Sequence, residues 1–424
     1  MYKVILFMKI KAWFMLLGTT GLAQALVQGL GLISGILVIR VLPTEEYALY
    51  TLANTMLGSM VLLANGGISK GVMAQGSKVW KDKEKLGEVM VTGFDLRKKF
   101  IVASLIVGVP ILAFLLLKNN ASILVTILII IALIPAFISS LSNSLIVIVP
   151  QLHQDIIPLQ KNQIGVNLGR LLMLGVLIFF FPLAFVAVFS AGIPQIIGNL
   201  RLRKIVSMHV NLNHSPSKEI SKKILKTVKR IFPEAVYYSF SSQITIWLLS
   251  IFGTTTSIAQ IGALNRIAVL LTLITMVFNI VIAPRFARLI DSFQLLIKRY
   301  STVLFGLIIL LIIIVFTTYV FSTQILFILG SKYANLEREI VLLILGSSLS
   351  LIAGLVYNMY SSRGWIQHPI LAISMSLITL ILGISLIDIS NLVGVLKLNI
   401  LVGTSQLLTH GIFGYYKIFQ LKNR

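Results

Sequence analysis

The sequence predicts an all-α, polytopic membrane protein of about twelve transmembrane helices arranged as two six-helix lobes. Three observations carry that expectation. Apolar stretches of about twenty residues recur along the whole chain, and such stretches read as membrane helices. The composition is 57% hydrophobic and 12% charged, with mean hydropathy +0.96, more apolar surface than a soluble 424-residue chain buries. Positive charge is confined almost wholly to alternate connecting segments.

The spans run over residues 13–39, 47–67, 99–117, 121–150, 164–181, 182–199, 231–253, 257–285, 300–320, 337–360, 369–387 and 392–416. The segment Met1–Lys11 superficially resembles a signal peptide, but no small-residue cleavage site follows, so the first span is expected to be retained. The fifth and sixth spans are divided at Pro182. An unbroken helix from Ile164 to Asn199 would be roughly 54 Å long at 1.5 Å per residue, against a hydrocarbon core of about 30 Å. Proline ends or kinks a helix, so two short spans fit better.

Charge sets the orientation. With the N-terminus cytoplasmic, 29 of the 36 Lys and Arg fall in cytoplasmic segments. Only Arg40, Lys118, Lys332 and Arg338 fall outside, and Arg170, Arg266 and Lys397 fall within spans. Short cytoplasmic loops are enriched in Lys and Arg, so both termini are expected in the cytoplasm. The same asymmetry accounts for the net charge of +23 and pI of 10.2 without nucleic acid, and it attracts anionic membrane lipids.

The longest hydrophilic interruption, Arg201–Arg230, lies near the chain midpoint. Residues 1–200 are therefore expected to form an N-terminal lobe, 201–230 a basic cytoplasmic linker and 231–424 a C-terminal lobe. Within the linker, Ser215-Pro216 opens a helical pattern in which Ile220, Ile224, Leu225, Val228 and Ile231 recur between Lys222, Lys223, Lys226 and Lys229. That pattern reads either as an amphipathic helix on the membrane face or as a charged linker.

Several function classes lack their residues. The sequence contains no phosphate-binding loop, HExxH pair or dinucleotide fingerprint. The absence of cysteine excludes thiolate chemistry and disulfides. None of the 13 acidic residues lies clearly at mid-membrane. A transporter without cofactor or metal fits better than an enzyme.

Polar residues instead line helix faces. Gln24 and Gln28 share a face with Gly31 and Gly35, and Asn54 lies on a second-span stripe with Tyr47, Tyr50, Gly58 and Asn65. Pro233, Glu234, Tyr237, Tyr238, Ser241, Ser242 and Thr245 open the seventh span, Asn265, Thr272 and Asn279 align in the eighth, and Asn399, Gly403, Gln406 and His410 in the twelfth. Each stripe alone reads first as helix packing; five together suggest a hydrophilic cavity. Arg266 lies roughly 13 Å into its span, where an ionisable group marks a site by default. Arg170 is shallower, within snorkelling reach of the cytoplasm, and Arg40 lies near the outer interface. A cationic, polar lining suits a phosphate- or pyrophosphate-bearing substrate.

The stretch Gln24–Arg40 followed by Val41-Leu42-Pro43-Thr44-Glu45-Glu46-Tyr47-Ala48-Leu49-Tyr50 resembles the opening of the bacterial O-antigen flippases of the Wzx type, within the MOP exporter superfamily. Ala48 stands where that pattern usually has glycine, and Ile261–Arg266 is similar to the second-half counterpart. The resemblance implies a MOP/MATE-like fold, a two-lobed bundle around a central cavity. It also implies alternating-access flipping of undecaprenyl-pyrophosphate-linked oligosaccharide to the periplasmic leaflet, with a polysaccharide polymerase and chain-length regulator as partners. Arg266, then Arg40 and Arg170, become candidates for the anionic head group, with Gln24, Gln28, Asn54, Asn265 and Asn279 as further cavity residues. Three rivals are weighed against it. A MATE-type drug exporter would carry intramembrane carboxylates, a lipid II flippase additional helices, and an O-antigen polymerase a large periplasmic loop.

Overall fold

In the computed structural model, the backbone is described for residues 2–365, 367 and 369–422. Side chains are described for 21–422 except 234, 238, 280, 366 and 368–372. All regular structure among them is helical, and the chain divides into two compact units, Met1–Gln243 and Ile244–Arg424. The division falls inside the expected seventh span.

Unit 1 holds nine helices: α1 (Tyr2–Val41), α2 (Thr44–Asn65), α3 (Ile68–Val79), α4 (Lys83–Lys118), α5 (Ile123–Ile146), α6 (Ile148–His153), α7 (Ile156–Phe180), α8 (Ala184–His209) and α9 (Lys218–Ser241). Asp82 caps α4 by accepting from the Glu84 and Lys85 amides, and Ser122 caps α5 through Val125 N. The expected division at Pro182 is present, with α7 ending at Phe180 and α8 starting at Ala184. Glu46 on α2 accepts the Ala184 amide at 2.7 Å and so satisfies the start of α8.

Unit 2 holds α10 (Ile244–Phe252), α11 (Thr255–Ala268), a 3₁₀ turn at Val269–Leu271, α12 (Thr272–Ala287), α13 (Phe293–Val320), α14 (Ser322–Leu329), α15 (Glu337–Ser361), α16 (Pro369–Leu386) and α17 (Leu392–Phe419). Its spine is α15 against α17, with α13, α12 and α16 packed on that pair. Phe278, Phe286, Leu296, Ile352, Val356, Met359 and Ile418 form its core.

Among the described residues, ten helices are long and apolar enough to cross a membrane, or eleven if Ala235–Ser241 and Ile244–Phe252 are one broken span. The eleventh expected span, 369–387, falls on α16, whose described apolar part is the shorter Ile373–Leu386. The expected third span, 99–117, is the far half of a 36-residue helix that also carries the basic segment from Lys83.

The basic helical pattern near the midpoint does not lie free on a membrane face. It forms the first half of α9, where Ile224 and Val228 are buried with Ile68, Val72, Leu86 and Met90. The reason is close approach. Gly71 presents bare backbone to Ile224, and a Cβ there would stand 2.9 Å from Ile224 Cγ2. A protein surface is thus available to the apolar stripe, and the lysines are left outside.

The bend between α2 and α3 needs Gly66 and Gly67, with φ of +46° and +96°. Phe232 and Ile231 of α9 crowd this elbow. Arg97, 2% exposed, holds the elbow from α4. Its Nη2 donates to Asn65 Oδ1 at 3.0 Å and Ser69 Oγ at 2.9 Å. Its Nη1 donates to Ser144 Oγ at 2.9 Å and the Leu141 carbonyl at 3.2 Å on α5. Arg97→Met should destabilise unit 1 by about 3 kcal/mol, since four bonds to a charged donor disappear and their acceptors stay buried. Arg97→Lys should recover only part of this, because one ammonium cannot reach both pairs. Thermal unfolding of the detergent-purified protein measures both; an unchanged midpoint in Arg97→Met would show the clamp to be dispensable.

Candidate functional site

In unit 1 the polar residues converge along the α1–α7 contact. Gln24 Nε2 donates to Gln163 Oε1 at 3.1 Å. Gln163, Asn167 and Arg170 follow one another at helical spacing on α7, and Asn167 donates to the Gln163 carbonyl at 2.9 Å. Arg170 is half-buried, and its Nε is buried without a hydrogen-bond partner. Neither α1 nor α7 contains an Asp or Glu, so this seam is cationic and lacks a counter-charge of its own.

The structure therefore brings Gln24 and the Arg170 helix face together, through two residues that the sequence reading passed over. Gln163 and Asn167 have the same i, i+4, i+7 relation to Arg170 that marked the other stripes, so the signal was present. Gln28 is exposed on α1, and Arg40 is exposed in the last turn of that helix. Asn54 donates to the Tyr50 carbonyl of its own helix at 3.1 Å.

In unit 2, Arg266 lies in the last turn of α11, half-buried, immediately before the 3₁₀ turn. The expected eighth span is interrupted here, so a cation meets the negative end of a helix dipole. Asn265 beside it is half-buried. Asn279 on α12 is exposed and accepts from Asn358 of α15 at 3.3 Å. Asn399 on α17 accepts from Thr245 of α10 at 2.8 Å. Arg266 and Asn279 stand on separate helices.

His410 sits in a tyrosine cage. Its Nδ1 lies 2.9 Å from Tyr360 Oη, and its ring lies edge-on to Tyr357. Tyr360 Oη also lies 3.3 Å from Gln367 Oε1. Tyr300 reaches the Gly411 carbonyl at 3.1 Å, in space left by Gly414, where a Cβ would stand 2.1 Å from its hydroxyl. These bonds join α13, α15 and α17 and tie the α15–α16 connection to them. They explain His410 as a satisfied packing residue. The side chains of Glu234 and Tyr238, part of the expected seventh-span stripe, lie outside the described residues.

No group of three His, Asp or Glu side chains is placed to hold a metal ion among the described residues. No family model matches the chain. No curated protein matches it either. Solved structures do. An inward-facing multidrug resistance MATE family transporter of the MOP superfamily aligns with a TM-score of 0.74 at 17% identity, over 93% of this chain and 96% of that one. An outward-facing multidrug resistance MATE family transporter of the MOP superfamily aligns at 0.62 and 15% identity, over 96% and 95%. A Vibrio cholerae MATE transporter aligns at 0.61 and 16%, over 98% and 97%.

The fold is that of the MATE-type transporters. The likeness spans nearly the full length of each chain, and at these identities it is a likeness of fold alone. Within this fold, polar residues are found in both units. Tyr360→Phe tests the cage. It removes the hydroxyl shared by His410 and Gln367 and should cost about 1–3 kcal/mol, the usual consequence of leaving buried polar groups unmatched. Thermal unfolding in detergent reads this directly, and an unchanged midpoint would mean the cage adds nothing to stability.

Proposed function

We propose that this transporter-fold protein is a flippase that moves an undecaprenyl-pyrophosphate-linked oligosaccharide across the bacterial inner membrane by alternating access, with both termini in the cytoplasm. The observation that carries the reading is the α1–α7 seam. Gln24, Gln163, Asn167 and Arg170 offer amide groups and a guanidinium with an unmatched Nε, and no carboxylate on either helix competes for it. Amides suit sugar hydroxyls, and guanidinium suits phosphate oxygens. Arg266 adds a second membrane-embedded cation, on a helix likewise without Asp or Glu. The concentration of Lys and Arg in alternate loops supports the orientation. A polysaccharide polymerase and a chain-length regulator are the partners this role calls for.

A second reading, export of a drug-like molecule, is favoured by one observation: the aligned structures include multidrug resistance MATE transporters. A strain lacking the protein separates the two. Flippase function requires complete lipid-linked repeat units to accumulate on the cytoplasmic face, with surface polysaccharide lost. Unchanged lipid-linked sugars together with drug hypersensitivity would instead establish drug export. Accumulation on the periplasmic face would assign the protein to polymerisation.

At residue level, Arg170→Ala and Arg266→Ala should each reduce flipping about tenfold or more while leaving membrane insertion intact, the loss expected of one charged hydrogen-bonding group. Lysine at the same positions should restore part of the activity. Full activity in an alanine variant would remove that arginine from the substrate path.

A further inference from the structure

We propose that the groove between α7 and α8 is a binding site for an anionic phospholipid of the bilayer, with Arg201 pairing with the lipid phosphate. The groove has a volume of about 200 Å³ and is lined by Gly165 and Gly169 of α7 and by Pro194, Ile197, Gly198 and Arg201 of α8. It exists because small residues face one another. A Cβ on Gly169 would only reach ordinary contact, 3.5 Å from Pro194 Cβ, so the slot stays open above it. Both helices are long and apolar enough to span a membrane, and α7 buries little of its apolar surface within the protein. Hydrocarbon is therefore what the groove meets.

Charge decides the class of lipid. Arg201 is exposed at one end of the slot, with Nη1 3.7 Å from the position of a Cβ on Gly165. It makes no hydrogen bond or ion pair with a described residue. Lys161, Arg203 and Lys204 lie at the same helix ends, and neither α7 nor α8 contains an acidic residue. The carboxylate at those ends, Asp155, is engaged by His209 at 2.9 Å, so a slot for part of one hydrocarbon chain ends in a guanidinium among other cations and matches one phosphate above one acyl chain. Basic pockets between membrane helices bind anionic head groups on the same physical grounds. The site faces away from the Gln163–Arg170 stripe, on a neighbouring face of α7, and does not depend on the identity of the transported substrate.

The test uses the full chain in phosphatidylcholine nanodiscs with photoactivatable phosphatidylglycerol, and maps and counts crosslinked lipid by mass spectrometry. Labelling should concentrate at the α7–α8 groove and fall about fivefold in Arg201→Gln, the factor one membrane-surface cation contributes. Gly169→Leu, which fills the slot, should lose it as well. Gly169→Ala should retain most of it and serves as the folding control for that position. Arg203→Gln, which removes a neighbouring cation outside the groove, should retain it. Equal loss in Arg203→Gln would overturn the proposal in favour of diffuse charge. So would undiminished labelling in Gly169→Leu, or equal labelling by photoactivatable phosphatidylcholine. Displacement by undecaprenyl phosphate at far lower concentration than phosphatidylglycerol would assign the groove to that lipid and overturn the phospholipid assignment.

Discussion

A helical chain in hydrocarbon has no water with which to satisfy a broken backbone, so every interruption of a helix must find its hydrogen bonds within the protein. Much of this structure follows from that constraint. At the α2–α3 elbow, Arg97 supplies the donors by gathering Asn65, Ser69, Ser144 and the Leu141 carbonyl. In unit 2 Arg363 does related work at the end of α12, donating to the carbonyls of Phe286 and Leu289 at 2.9 Å each and pairing with Asp291. Glu46 meets the first amide of α8 in the opposite sense, with an acceptor. Burial of charge is costly, and these three residues offset it with hydrogen bonds inside the protein. Their contacts identify them as pieces of the scaffold.

Close packing is the second consequence. Lipid is as apolar as leucine, so helices associate through small residues and shape rather than through escape from water. Gly93 leaves room for Val72, Gly71 for Ile224 and Gly414 for Tyr300. The same device positions α9. Its apolar stripe has a complementary protein surface on α3 and α4, and a helix that could have lain in the membrane interface is built into unit 1 instead.

Against that background the α1–α7 seam differs from the clamps. Arg97 has both terminal nitrogens matched by neutral acceptors and is almost fully enclosed. The Nε is unmatched in Arg97 and Arg170 alike, but Arg170 is only half-buried, makes no hydrogen bond or ion pair with a described residue and stands in line with amides. A guanidinium in that condition keeps donors open to an anion. The His410 cage lies at the other extreme: Tyr360, Tyr357 and Tyr300 enclose it from two helices, and stability is sufficient explanation.

The sequence by itself determined the class of fold, most of the spans and the break at Pro182, because hydrocarbon thickness and helical rise leave few choices for twenty-residue apolar runs. It also pointed to a cationic lining, since none of the 13 acidic residues lies clearly at mid-membrane. Tertiary structure alone decided which polar residues meet. Gln24 and Gln163 are 139 positions apart, and periodicity within one helix says nothing about the helix opposite. It also decided that Asn54 bonds within its own helix, that Arg266 stands at a break between two helices within its span, and that Arg97, read as part of a basic loop, is the most enclosed cation of unit 1 among the described residues. Periodicity gives a residue its face; only packing determines what that face touches.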